Sequence, residues 1–232
     1  MNEQLQTAYA GQVGSGPLVE QRNRVLRNTY WLLALSLVPT VLGAWIGVQT
    51  GIMASMGMGL SMIVFLVGAF GLMFAIEKYK NSSAGVGLLL AFTFFMGLML
   101  SRLLAAILGF SNGSSLIMTA FGGTAAVFFA MASLASVIKR DLSNMGKFLF
   151  VGAILLLVAG VINIFVQSSA LMVTLSVIAI GLFSAFMLYD LKRVIDGGET
   201  NYVSATLAIY LDIYNVFQSL LALLGIFGGE RD

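Results

Sequence analysis

Residues 148–165 read FLFVGAILLLVAGVINIF, eighteen positions with one strongly polar side chain, Asn163. A helix drawn through this stretch has no polar face, and a helix apolar all round belongs in lipid or in the interior of a large protein. A second stretch, SMIVFLVGAFGLMF at 61–74, has the same character. The chain has 232 residues, of which 59% are hydrophobic and 9% are charged. A soluble domain carries about 25% charged residues, so these helices have no water-exposed shell to hide behind. The bilayer is their solvent.

A membrane-spanning helix needs ~20 predominantly apolar residues. Seven runs satisfy this, at about 28–49, 52–75, 84–107, 114–136, 148–166, 170–189 and 207–227. The predicted fold is an all-α integral membrane protein, a seven-transmembrane-helix bundle in a single domain over 28–232, behind a polar tail over 1–27. The tail contains no apolar core of the kind a cleavable signal peptide requires. Its cluster Gly11, Gly14 and Gly16 reads as linker rather than nucleotide loop, with a helical stretch near Val19–Arg27.

Basic residues orient the bundle. Arg22, Arg24 and Arg27 lie in the tail, Lys78 and Lys80 in the 76–83 loop, Lys139, Arg140 and Lys147 in the 137–147 loop, and Lys192 and Arg193 in the 190–206 loop. Ten of the twelve basic residues therefore fall on one side in strict alternation. The positive-inside rule assigns that side to the cytoplasm, with the N-terminus inside and the C-terminus outside. Arg231 falls on the other side, as does Arg102, which is placed to snorkel to the outer interface.

With no cysteine and no histidine, the chain lacks thiolate chemistry, the usual neutral-pH switch and the commonest metal ligand. Serine–histidine and zinc hydrolysis are excluded with them. Gly43 and Gly47 form a small-xxx-small pair, and Gly122, Gly123 and Ala126 give the fourth span a smooth face, both suited to close helix approach in lipid.

Polar residues inside the bilayer are costly and are functional candidates by default. Asn163 and Gln167 lie four apart on the fifth span, and Ser176 and Ser184 sit on the sixth. On the seventh, Asp212, Asn215 and Ser219 share one helical face, flanked by Gln218. Asp190 closes the sixth span, and Asp212 lies about five residues into the seventh, ~7–8 Å below the same end. One loop joins the two spans, so the carboxylates have similar depth and meet if the helices are adjacent. Two carboxylates at hydrogen-bonding distance in a poorly solvated site compete for one proton and titrate as a unit. Alternatively, Asp190 is a solvated helix-end residue paired with Lys192 or Arg193.

Several separated segments resemble the transmembrane Bax-inhibitor-motif family. They are LRNTYWLLALSL at 26–37, FGGTAAVFFAMA at 121–132, VINIF at 161–165 and FSAFMLYDLKRVIDGGETNYVSATLAIYLDIYNVFQSLLALLGI at 183–226. The segment IDGGETNY at 195–202 looks most like the bacterial YccA branch. This resemblance implies a bundle whose last helix is central, wrapped by the other six. It implies a pH-sensitive calcium leak in which Asp190 and Asp212, by the motifs LYD and YLD, form a gating dyad with Ca2+ in transient contact. Alternatively, it implies a non-enzymatic modulator of the membrane protease FtsH in membrane protein quality control. No cofactor is implied beyond calcium or a proton as permeant or regulating ion, and no nucleic acid as partner. The resemblance places the protein in the bacterial inner membrane.

In calcium-leak relatives a basic residue of the second helix can engage the dyad. The second span here has no arginine, and Lys78, beside Glu77, is the candidate latch. A remote alternative is an intramembrane aspartyl protease. Those enzymes carry glycine before the second aspartate and a later Pro-Ala-Leu, whereas Leu211 precedes Asp212 here and no proline follows.

Overall fold

The computed structural model describes the backbone of residues 3–230 and the side chains of residues 19–57 and 59–230; Arg231 lies outside the described residues. Eight helices follow in order: α1 (Glu3–Thr50), α2 (Ile52–Ser55), α3 (Met58–Tyr79), α4 (Ser83–Leu108), α5 (Gly113–Val137), α6 (Met145–Val166), α7 (Ser169–Ile195) and α8 (Tyr202–Gly228). All but α2 are long and apolar enough to cross a membrane, giving seven spans.

Three boundaries differ from the sequence expectation. The polar segment before residue 28 continues α1 without a break, glycines 11, 14 and 16 included. Extending an existing helix adds one hydrogen bond per residue fixed, without the cost of a new nucleus, and Val25 is buried in the core. The second span does not begin at 52. Gly51 adopts a left-handed φ of 63°, α2 lasts four residues, and Met56 and Gly57 are extended before α3 starts. The third difference concerns α7 and α8. Both run well past the apolar windows at the end where they are joined, α7 to Ile195 and α8 back to Tyr202. We call this the basic end.

The centre of the bundle is α8, which packs on α1, α3, α4, α5 and α7. The implied wrapping by six helices is thus realised by five, because α6 rests on α7. Its lipid-facing character matches its sequence: of its residues only Leu149 is buried.

The tightest crossing lies between α1 and α4. A Cβ on Gly43 would stand 2.1 Å from the Phe94 carbonyl oxygen, and one on Gly97 would stand 2.0 Å from that of Thr40. Gly47 faces Ser101 in the next rung. The predicted Gly43–Gly47 pair therefore meets a small-residue counterpart, Gly97–Ser101, with backbone against backbone at Gly43 and Gly97 and the Ser101 side chain against Gly47. On α5, by contrast, Gly122 faces open space and Gly123 meets the side chain of Leu220. That face is smooth without bringing two backbones together.

Hydroxyl groups pin one face of α8 to this α1–α4 unit. The Thr206 hydroxyl donates to the Tyr202 carbonyl in its own helix at 2.7 Å and lies 3.3 Å from the Thr29 carbonyl as a second, weaker acceptor. Tyr210 shares a 2.9 Å hydrogen bond with Thr40, and Tyr214 donates to the Met96 carbonyl at 3.2 Å. These residues recur every four positions, so they form one stripe. Asp212 falls between two of them in sequence and therefore on another face.

Candidate functional site

The basic end is organised by the short connection between α7 and α8. Lys192 pairs with Asp196 at 2.8 Å and Arg193 with Glu199 at 3.2 Å. Gly197, at φ 80°, turns the chain in the left-handed region where glycine carries no steric penalty. The amide N–H groups of Gly198 and Glu199 both donate to the Arg193 carbonyl. Asn201 then starts α8: its Oδ1 accepts from the N–H groups of Val203 and Ser204, the standard use of an N-cap side chain. Its Nδ2 donates to the Lys80 carbonyl at 3.2 Å and to Asn81 Oδ1 at 2.8 Å, tying the start of α8 to the end of α3.

Beneath this connection lies a cleft of about 260 Å³, lined in part by Glu77, Lys80, Asp190, Arg193, Glu199 and Ser204. Glu77 is held by Lys80 and by a 3.1 Å hydrogen bond from Ser204. Arg193 lies close enough to Asp190 for charge attraction, but its ion pair is with Glu199. Among the described residues neither basic neighbour of Asp190 in sequence forms an ion pair with it: Lys192 is taken by Asp196 and Arg193 by Glu199. Neither of the ion pairs expected of a helix-end Asp190 is therefore formed. Asp190 is part-buried and lies inside α7, more than a turn before its end.

Asp212 faces Asp190 across the α7–α8 contact, close enough for the Asp190 charge to act on it and for the two side chains to share a hydrogen bond. Asp212 is 3% exposed. Its Oδ2 is the one buried side-chain oxygen or nitrogen without a hydrogen-bond partner among the described residues. A buried unpartnered polar atom costs about 1–3 kcal/mol, and more where the group is charged. The site thus runs inward in three steps: an open, charged cleft, a part-buried carboxyl, and a fully buried carboxyl with a free oxygen. Asp212 sits ten residues into α8 rather than five, because the Asn201 cap starts that helix earlier than hydropathy alone suggests.

The remaining sequence candidates are placed as follows. Lys78 is not among the residues lining the cleft, and its Nζ lies 5.5 Å from the centre of the Tyr79 ring; Lys80 lines the cleft but pairs with Glu77 rather than with either aspartate. Glu77 does line the cleft. Asn215 turns its amide back onto the Leu211 carbonyl at 2.7 Å, Ser219 is part-buried, and Gln218 is exposed. Among the described residues the polar contacts of Asn163 and Gln167 stay within the α6–α7 turn. Asn163 Oδ1 caps the backbone N–H of Ser168, and Gln167 takes a left-handed φ of 53° to end α6. Ser176 and Ser184 bond to carbonyls one turn back in their own helix. Arg102 is exposed. Among the described residues no three acidic side chains gather closely enough to hold a metal ion. The dyad alone therefore does not form a calcium cage, which needs six to eight oxygen ligands.

Comparison with known proteins gives a consistent result. The family model described as "Inhibitor of apoptosis-promoting Bax1" matches residues 22–229. An uncharacterized membrane protein of Vibrio cholerae is 40% identical over 210 residues, covering 89% of this chain and 91% of that protein. A protein of Escherichia coli K12 named "Modulator of FtsH protease YccA" is 38% identical over 203 residues, covering 88% and 90%. An Escherichia coli O6:H1 relative with the same identity and coverage is named "Inner membrane protein YccA".

Proposed function

The chain belongs to the family of inhibitors of apoptosis-promoting Bax1 and is a multi-pass protein of the inner membrane; from that premise we propose that it is a pH-sensitive cation leak gated by Asp190 and Asp212, with calcium as the permeant ion. One observation carries the reading: a buried carboxyl with an unpartnered oxygen faces a second carboxyl that opens onto a charged cleft. Two ionised carboxylates facing each other in a poorly solvated contact repel, and either a proton or a cation must compensate them. With one proton between them, the pair bonds and draws α7 and α8 together. When that proton leaves, repulsion separates the helices at the basic end and frees carboxylate oxygens for a hard cation.

The sign follows. The closed state binds the additional proton, so lowering the pH favours closure and raising it favours the leak. The basic end faces the cytoplasm in this reading, which makes cytoplasmic pH the controlling variable. The test is flux from calcium-loaded vesicles containing the purified protein. Wild type should leak faster as pH rises, and D190N and D212N should each flatten that dependence. Unchanged flux and an unchanged pH profile in both variants would sink the proposal.

A second reading is supported by the Escherichia coli relative named as a modulator of FtsH protease. On it, this chain modulates the same class of membrane protease and carries out no proteolysis itself. Affinity capture from detergent-solubilised membranes at native expression separates the two. Recovery of the protease with D190N/D212N as readily as with wild type supports modulation independent of the dyad, and no recovery at all argues against it.

A further inference from the structure

The connection between α5 and α6 carries Lys139 and Arg140, and Lys147 follows in the first turn of α6; all three are exposed. None takes part in any of the three ion pairs among the described residues. The loop has one acid, Asp141, and it is already engaged: its Oδ1 accepts from both the N–H and the hydroxyl of Ser143. These hydrogen bonds hold the Asp141 carboxyl below the usual carboxylate range, so it stays ionised but turned onto its own loop. Among the described residues the three cations thus form no ion pair, and against one acid they leave the segment with a positive excess.

What lies beside them is apolar and open. Phe148 directly follows Lys147 and is 79% exposed, with Phe150 and Val151 at 62% and 55%. Since α6 packs on α7 and otherwise faces outward, this surface meets acyl chains. Cations at the head of a helix whose next turn is lipid-facing match one chemistry, a headgroup with net negative charge joined to hydrocarbon tails. A zwitterionic lipid offers the tails without the charge, and a free phosphate offers the charge without the tails.

We propose that the α5–α6 connection is a docking site for an anionic phospholipid, whose headgroup is held by Lys139, Arg140 and Lys147 and whose chains lie against Phe148 and Val151. Each basic residue near an anionic membrane surface can contribute up to about fivefold in affinity, so the preference should fall stepwise as the charges are removed. The proposal is independent of the gate.

The chain has two tryptophans, Trp31 and Trp45, both on α1, which makes a single reporter practicable. The full-length W31F/W45F/F148W protein is reconstituted with brominated phosphatidylglycerol or brominated phosphatidylcholine, and quenching of the new tryptophan is compared. Quenching should be several-fold stronger with the anionic lipid, should lose that preference in K139Q/R140Q/K147Q, and should withstand millimolar inorganic phosphate. Equal quenching by the two lipids, or a preference that survives the triple replacement, overturns the proposal. Displacement by inorganic phosphate overturns it too, leaving only a free-anion site. Should the tryptophan variant not fold, native mass spectrometry of the unaltered protein titrated with the two lipids gives the same comparison. More phosphatidylglycerol than phosphatidylcholine adducts, lost with the triple replacement, supports the site; equal numbers refute it.

Discussion

Replacing Gly97 by alanine tests the α1–α4 crossing on which the central helix is mounted. The added Cβ would stand 2.0 Å from the Thr40 carbonyl oxygen and 2.9 Å from the Ala44 nitrogen. Both are backbone atoms of a helix, so no side chain can swing aside to make room. A carbon–oxygen contact relaxes only beyond about 3 Å, and the helices must separate by roughly that shortfall. Overpacking of this kind costs about 1–3 kcal/mol, and backbone against backbone belongs at the upper end. Alanine returns about 0.8–1 kcal/mol of helix propensity, leaving a net loss of about 2 kcal/mol. The control is Gly122→Ala, where nothing lies within 4 Å and only the propensity gain remains. Reversible unfolding in mixed detergent, followed by the fluorescence of Trp31 and Trp45, measures both. If G97A is as stable as G122A, the close crossing is not present in the membrane.

Three further outcomes follow from the same framework. Tyr210→Phe removes the hydrogen bond to Thr40, whose hydroxyl keeps its bond to the Ser36 carbonyl, so the loss should be about 1 kcal/mol in the same unfolding assay. Asn201→Ala removes both the cap of α8 and the tie to α3, at roughly 2 kcal/mol, whereas Asn201→Asp keeps the cap and should cost roughly half as much; equal losses would refute the dual role. Asp212→Asn leaves a neutral amide facing Asp190, so its stability should depend less on pH than that of wild type between acidic and alkaline buffers, measured by the same unfolding; an unchanged dependence argues that Asp212 does not titrate with its neighbour.

The seven spans were legible because transfer into lipid is a sum over ~20 residues and tolerates local detail. What the sequence hid is decided by single hydrogen bonds and by single φ angles. Hydropathy starts the last helix at 207, yet the Asn201 cap starts it at Tyr202 and sets Asp212 twice as far along. Gly51 ends α1 ahead of the second span because it can take a left-handed φ of 63°, not because apolarity changes there. The Gly43–Gly47 pair stood out as a motif, but its partner Gly97–Ser101 became visible only when the helices met. Lys78 and Lys80 are two positions apart, so they point to different sides of a helix, and the nearer residue in sequence was the wrong one for the cleft. Asn163 and Gln167 read as intramembrane polarity and are instead the stop signal of α6. Asp190 and Asp212 were legible as a pair because the short connection between their helices makes them neighbours.

Infrared difference spectroscopy of the reconstituted protein between acidic and alkaline pH counts protonated carboxyl groups directly. If Asp190 and Asp212 compete for one hydrogen ion, wild type should lose its carboxylic-acid carbonyl intensity in two separated steps on alkalinisation, and the single acid left in D190N or in D212N should lose its band in one step that matches neither. Wild-type losses that simply superimpose those of the two single replacements would show that the acids ionise independently and contradict the account.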